Sequence, residues 1–169
     1  MADRDKVLEI LRKAFQIEVD GYTFYSMTAE RADKPAVQEL FAKLASDEVQ
    51  HQAFLKNVAT HYDERGVEAF QLNLRSPEIR AMSQAILTGD FRDKAAVTEF
   101  ELGVLSIGMT LETNAVRYFS TAAEQASETE VQEFYQFLAN WEKQHLEALQ
   151  QLHNSVRAEF WHDSSFAPF

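Results

Sequence analysis

The chain has 169 residues, 46% of them apolar and 12% aromatic, which excludes a disordered polypeptide and suits one domain or two small ones with a real core. It contains no cysteine, so disulfides, zinc–thiolate sites, iron–sulfur clusters and thiol nucleophiles are excluded. Five Gly and three Pro argue against an all-β fold, and a formal net charge of -11 makes a surface that repels nucleic acid and anionic lipid.

The opening MADRDKVLEI carries alternating charges rather than the apolar run of a signal peptide. No stretch of 18 apolar residues occurs. The expected location is the cytoplasm, with no membrane and no nucleic acid among the partners.

Four long amphipathic helices are predicted in chain order. The first covers about 3–32. Asp33-Lys34-Pro35 then makes a tight turn, with Pro35 where a helix start tolerates it, and the second helix covers about 35–64. A connection of about 28 residues, 65–92, holds Gly66, Pro77 and Gly89, and a short helix is predicted within it from Pro77 to Leu87. The third helix covers about 93–125. Ser127-Glu128-Thr129-Glu130 has the S-x-x-E form of a capping box and opens the fourth helix, about 128–160. Two tight hairpins, 3–64 and 93–160, joined by a long crossover specify an all-α four-helix bundle as one domain over 1–160. The aromatic tail 161–169 is suited to covering a bundle end or a partner subunit.

The apolar spacing supports the bundle. Leu11, Phe15, Glu18, Tyr22, Tyr25 and Ala29 step 4-3-4-3-4 along the first helix. Val37, Phe41, Leu44, Glu48, His51, Leu55, Val58 and Tyr62 continue the pattern on the second, and Leu105, Met109, Glu112, Val116, Phe119 and Ala123 on the third. The fourth carries Val131, Tyr135, Leu138, Glu142, His145, Leu149, Leu152 and Val156. These are bundle seams, apolar except in the middle. The chain also repeats itself at an offset of 94: residues 18–55 match 112–149 at 14 of 38 positions without a gap, against roughly 2 or 3 expected from composition. A duplicated helical hairpin with a pseudo-two-fold axis follows.

Each half contains a Glu and, thirty positions on, Glu-x-x-His. The midpoint of 18 and 48 is Asp33, and that of 112 and 142 is Ser127, both in the tight turns. Antiparallel helices therefore bring each Glu pair to one level, about 20 Å from the turn at 1.5 Å per residue. Glu48 and His51, like Glu142 and His145, lie at i and i+3 on one helix face. Four carboxylates and two imidazoles converge on one core layer. Ionised carboxylates there cost several kcal/mol each unless compensated, and no Lys or Arg occupies the layer. Two divalent cations would balance four Glu. Oxygen and imidazole donors suit iron, manganese or zinc rather than Cu(I).

Glu18, Glu48-Val49-Gln50-His51, Glu112 and Glu142-Lys143-Gln144-His145 resemble the ligand set of ferritin-like di-iron carboxylate proteins. The duplication and the segments FQIEVDGYTFY and SDEVQHQAFL are similar to the rubrerythrin-like branch, over about residues 5–160. The resemblance implies a ferritin-like bundle with two iron ions, zinc or manganese being possible substitutes. It implies Glu48 and Glu142 as bridging ligands, Glu18 and Glu112 as terminal ligands, and one metal for each of His51 and His145. It further implies oxidoreductase chemistry with hydrogen peroxide or oxygen, and a homodimer, domain-swapped in some members. Two features depart from that pattern. Rubrerythrins carry an extra Glu one turn after the third-helix ligand, where this chain has Ala115 beside Asn114. They also append an iron–thiolate domain, so a cysteine-free chain needs a separate electron-donor protein. The symmetric ligand set resembles bacterioferritin too, which leaves ferrous iron oxidation, a ferritin-type storage subunit and a non-catalytic metal-binding protein as alternatives.

Tyr22 and Tyr25, four and seven residues after Glu18, are candidates to hydrogen-bond a ligand or pass an electron. Their repeat partners are Val116 and Phe119. Asp47 is a candidate to orient a His across the bundle; its repeat partner is Trp141. His61, His153 and His162 read as surface residues.

Overall fold

The computed structural model describes residues 2–75 and 99–163. Among these there are five helices and no strand: α1 Ala2–Arg31, α2 Pro35–Arg65, α3 Glu68–Leu74, α4 Glu99–Gln125 and α5 Thr129–Asp163. The fold is the all-α bundle the seams demand. No helix among the described residues is long and apolar enough to cross a membrane.

Local chemistry sets the helix ends. Lys34 is extended (φ -96°, ψ 125°) and Pro35 opens α2, because the residue before a proline is driven out of the helical region. α2 stops at Gly66, whose φ of 63° and ψ of -141° suit only glycine and whose N–H donates to the Tyr62 carbonyl. The predicted capping box does not form. α5 begins at Thr129, and Glu130 accepts instead from Gln71 Nε2 of α3 at 3.5 Å. The short helix in the connection lies at 68–74, where Ala69, Phe70 and Asn73 are buried; the predicted segment 77–87 lies outside the described residues, as do 93–98 of the third predicted helix.

α1 packs on α2 and α4 on α5 as two hairpins, and α3 covers one end against α2 and α5. Lys34 N–H donates to Glu101 Oε1 at 3.0 Å and Tyr25 donates to Glu112, so α4 runs antiparallel to α1. Phe54 meets Phe134, Phe137 and Trp141 at 5.1–6.1 Å between ring centres, which fills the space between antiparallel α2 and α5. The chain thus leaves α3 at one end of the bundle and enters α4 at the other.

The core falls into two apolar clusters. One, at the α3 end, includes Leu11, Phe54, Phe70, Phe119, Phe134 and Leu138; the other, at the Lys34 end, includes Tyr25, Phe41, Leu44, Leu105 and Leu149. The layer between them is polar, and each of the four long helices crosses it once. The seams of α2 and α5 are buried at every position from Val37 to Tyr62 and from Val131 to Leu152. On α1 and α4 the seam drifts. A step of four residues turns 400°, so Tyr22 sits about 40° past Glu18 and is 42% exposed, while Phe15, Met109 and Val116 are half-buried. Tyr22 is a rim residue, not a core aromatic. His61 is not a plain surface residue either: it is half-buried, with Nδ1 3.3 Å from Asn73 Oδ1.

Candidate metal centre

The polar layer consists of Glu18 on α1, Glu48 and His51 on α2, Glu112 on α4, and Glu142 and His145 on α5, each at most 3% exposed. All six predicted residues are brought together. Glu48 is central: its Oε2 lies 3.1 Å from His51 Nδ1 and its Oε1 3.3 Å from His145 Nδ1. His51 Nδ1 also meets Glu18 Oε2 at 3.0 Å, and His145 Nδ1 meets Glu112 Oε1 at 3.5 Å and Glu142 Oε2 at 3.8 Å. The imidazoles stack at 5.1 Å, and Trp141 lies flat on His51 at 4.0 Å.

The two halves differ in one donor. Tyr25, fully buried, donates its O–H to Glu112 Oε1. Its repeat partner, Phe119, has no hydroxyl, and Glu18 Oε1 is buried without a partner. The carboxylates respond accordingly. Burial and the neighbouring Glu48, opposed by His51, push Glu18 up to about 8. Burial and the three other carboxylates push Glu142 well above the usual range. Burial acts in the same sense on Glu112, but His145 and the hydrogen bonds from His145, Glu142 and Tyr25 outweigh it and hold that carboxyl low. His145 is pushed down by burial and, more strongly, up by Glu48 and Glu112, ending well above the ordinary imidazole value. Without cations the layer therefore stores protons to offset its charge.

The donors fit a dinuclear metal site. Ligand atoms of Glu48, Glu112, Glu142 and His145 lie within 4.8 Å of one another, as do those of Glu18, His51 and Glu142, and those of Glu48, His51 and His145. Glu18 Oε1, Glu142 Oε1 and His145 Nε2 are buried without hydrogen-bond partners, an expensive state for atoms able to coordinate a cation. No basic side chain among the described residues enters the layer. Iron, manganese and zinc all match these donors.

A cavity of about 260 Å³ opens onto Glu48, Glu112 and Glu142 between α1 and α4, and its wall includes Gly21, Tyr25 and Ala115. Gly21 is placed by close approach: a Cβ there would stand 3.0 Å from Glu48 Oε1. The position that holds an extra Glu in rubrerythrins, Ala115 here, is thus part of an open wall.

Asp47 makes no hydrogen bond to either His. Its Oδ1 accepts from Gln50 at 3.4 Å, and its buried Oδ2 has no partner. Tyr22 is an exposed rim residue and does not line the cavity at the carboxylates. Sequence reasoning missed Trp141 as the ring covering His51, and Gly21 and Ala115 as the openings to the carboxylates. The available signals were Trp141 beside Glu142 and small residues three positions after Glu18 and Glu112.

Comparison with curated proteins and with solved structures returned no match. The rubrerythrin family model matches residues 9–153. That span covers most of the chain and all six residues of the polar layer, and the chain belongs to the rubrerythrin family.

Proposed function

We propose that this chain is a di-iron carboxylate oxidoreductase that reacts with hydrogen peroxide or oxygen. The observation that carries the reading is the layer of four Glu and two His, buried with no Lys or Arg among the described residues entering it and reached by a cavity. Glu18, Glu48, Glu112, Glu142, His51 and His145 would hold two iron ions, which when bound supply two electrons to the oxidant, enough to reduce one peroxide to water. Glu48 stands between both imidazoles and suits a shared ligand. Tyr25 orients Glu112 through its O–H and, kept protonated by burial and Glu112, is placed to hold a proton beside the carboxylates. Gly21 and Ala115 leave room for a small oxidant. The flanking apolar clusters limit water. Electrons would come from a separate donor protein, and a homodimer is the assembly we expect.

Ala115 favours a second reading, ferrous iron oxidation by oxygen, because the extra rubrerythrin carboxylate is missing there. Anaerobic loading with two Fe(II) per chain, then rapid mixing with peroxide or oxygen while following ferric absorbance, separates the two. Fast oxidation by peroxide and slow oxidation by oxygen supports peroxide reduction; the reverse supports a ferroxidase. Elution as a large hollow shell would indicate storage. Tight zinc binding with no iron oxidation by either oxidant would overturn the oxidoreductase reading.

A further inference from the structure

A second cavity, about 700 Å³, lies between the start of α1 and the α4–α5 turn. It falls in the ~300–1,000 Å³ range of small-molecule sites. It arises because α1 and α4 diverge. They pack closely near Gly108, where a Cβ would meet Leu149 at 3.2 Å and Phe24 at 3.6 Å, and separate towards the α3 end. Lys13 and Tyr118 line both this cavity and the smaller one at the carboxylates, so the two adjoin.

Its walls have a definite chemistry. Tyr62, Tyr118 and Tyr135 contribute three phenols, and Val7, Ala122 and Val131 an apolar floor. Tyr135 is 1% exposed, yet its hydroxyl is buried without a hydrogen-bond partner. Leaving such a group unpaired costs about 1–3 kcal/mol, so a ligand that reaches it gains a bond which packing alone does not supply. Burial, reinforced by Tyr118 and Tyr62, pushes this phenol further above the ordinary tyrosine value. Lys6, Arg12 and Lys13 stand along α1 at the mouth, and none has an ion-pair partner among the described residues. Glu9 and Glu128 also line the cavity, leaving a local excess of cations on a chain whose net charge is -11.

We infer that this cavity is a binding site for an aromatic carboxylate: its ring lies among Tyr62, Tyr118 and Tyr135, its anionic group faces Arg12 and Lys13, and a polar atom at its inner end bonds the Tyr135 hydroxyl. Binding at this site does not depend on which metal the polar layer holds or on its reaction. The probes are 6-hydroxynaphthalene-2-carboxylate, whose hydroxyl supplies the inner polar atom, and the same hydroxylated ring with methanol or methylammonium in place of the carboxylate, titrated calorimetrically into the full chain, both metal-loaded and chelated. The carboxylate is expected to bind with Kd about 10–100 μM, an ordinary efficiency for so small a ligand, and about tenfold more tightly than either analogue. The double variant Arg12→Glu/Lys13→Glu should lose about tenfold, Tyr135→Phe about two- to fivefold, and Ala122→Trp all measurable binding. Ring-proton NMR should show Tyr118 and Tyr135 shifting with carboxylate while Phe41, in the other core cluster, does not; this holds even if the tryptophan variant fails to fold. No binding at 1 mM, equal binding of all three probes, or shifts confined to other residues would overturn the assignment.

Discussion

The close approach of Gly21 to Glu48 can be tested with a matched pair of glycines. Gly21→Ala and Gly103→Ala make the same chemical change within long helices, and each gains about 0.5–1 kcal/mol of helix propensity. Around Gly103 nothing lies within 4 Å of the added Cβ, so that variant should keep the whole gain. At Gly21 the Cβ would stand 3.0 Å from Glu48 Oε1 and 3.2 Å from Glu48 Cδ. The carboxylate must then move by about 0.5 Å to restore ordinary contact, and overpacking of that kind costs about 1–3 kcal/mol. The expected net change is a loss of about 0–2.5 kcal/mol without metal. A second loss comes with metal. Glu48 is held between His51 at 3.1 Å and His145 at 3.3 Å, so its displacement spoils a ligand shared by both halves. A tenfold weaker affinity removes about 1.4 kcal/mol of metal-dependent stability at saturating ligand. Urea unfolding of the wild type and both variants, chelated and zinc-loaded, measures each quantity. If Gly21→Ala matches Gly103→Ala in both states, the placement of Glu48 against α1 is wrong.

Three further outcomes follow from the same geometry. Glu18→Ala and His145→Ala should each bring metal content, by elemental analysis, below two ions per chain; two tightly held ions in both variants would refute the ligand assignment. In the metal-free protein, Glu18 held at about 8, with Glu142 and His145 also raised, means that the folded form binds more protons than the unfolded chain. The Glu18 contribution is fully present below about pH 4.5 and is lost as pH rises through about 8, a fall on the order of a few kcal/mol, and Glu142 and His145 act in the same sense, losing theirs as pH rises above the ordinary carboxylate and imidazole values. Glu112, held low, acts oppositely and loses its contribution only as pH falls below the ordinary carboxylate range. Chelated protein should thus be more readily unfolded by urea at pH 8 than at pH 6, and metal loading should abolish that trend; an unchanged trend on loading would contradict it. Tyr25→Phe removes the donor to Glu112 and should cost about 1.5–3 kcal/mol of metal-free stability, the range for a bond to a charged group, whereas Tyr22→Phe, at an exposed rim position, should change it by less than about 0.5 kcal/mol.

What could be read before folding was whatever repeats with the helix. The seams of α2 and α5 were legible because each position returns to one face every seven residues, and burial there requires apolar side chains. The polar layer was legible for a stronger reason: Glu18, Glu48 and His51 recur as Glu112, Glu142 and His145 at equal distances from two turns, and antiparallel helices bring such positions to one level. The rim is different. Tyr22 and Val116 fit the same spacing as Tyr25 and Phe119, yet a four-residue step overshoots the turn, and only the crossing of neighbouring helices decides which side of the edge they fall on. The short helix at 68–74 spans only two turns, too few to show a period, and it forms where α2 and α5 offer Phe70 a place beside Tyr62 and Phe134. The sequence by itself determined the bundle, its duplicated halves and the layer of carboxylates and imidazoles, because periodicity and charge act along each helix separately. Only the tertiary structure decided that Tyr25 reaches Glu112, that Trp141 covers His51, and that α1 and α4 part below Gly108 to open two cavities. Those depend on distances between helices, which are set by side chains far apart in the chain.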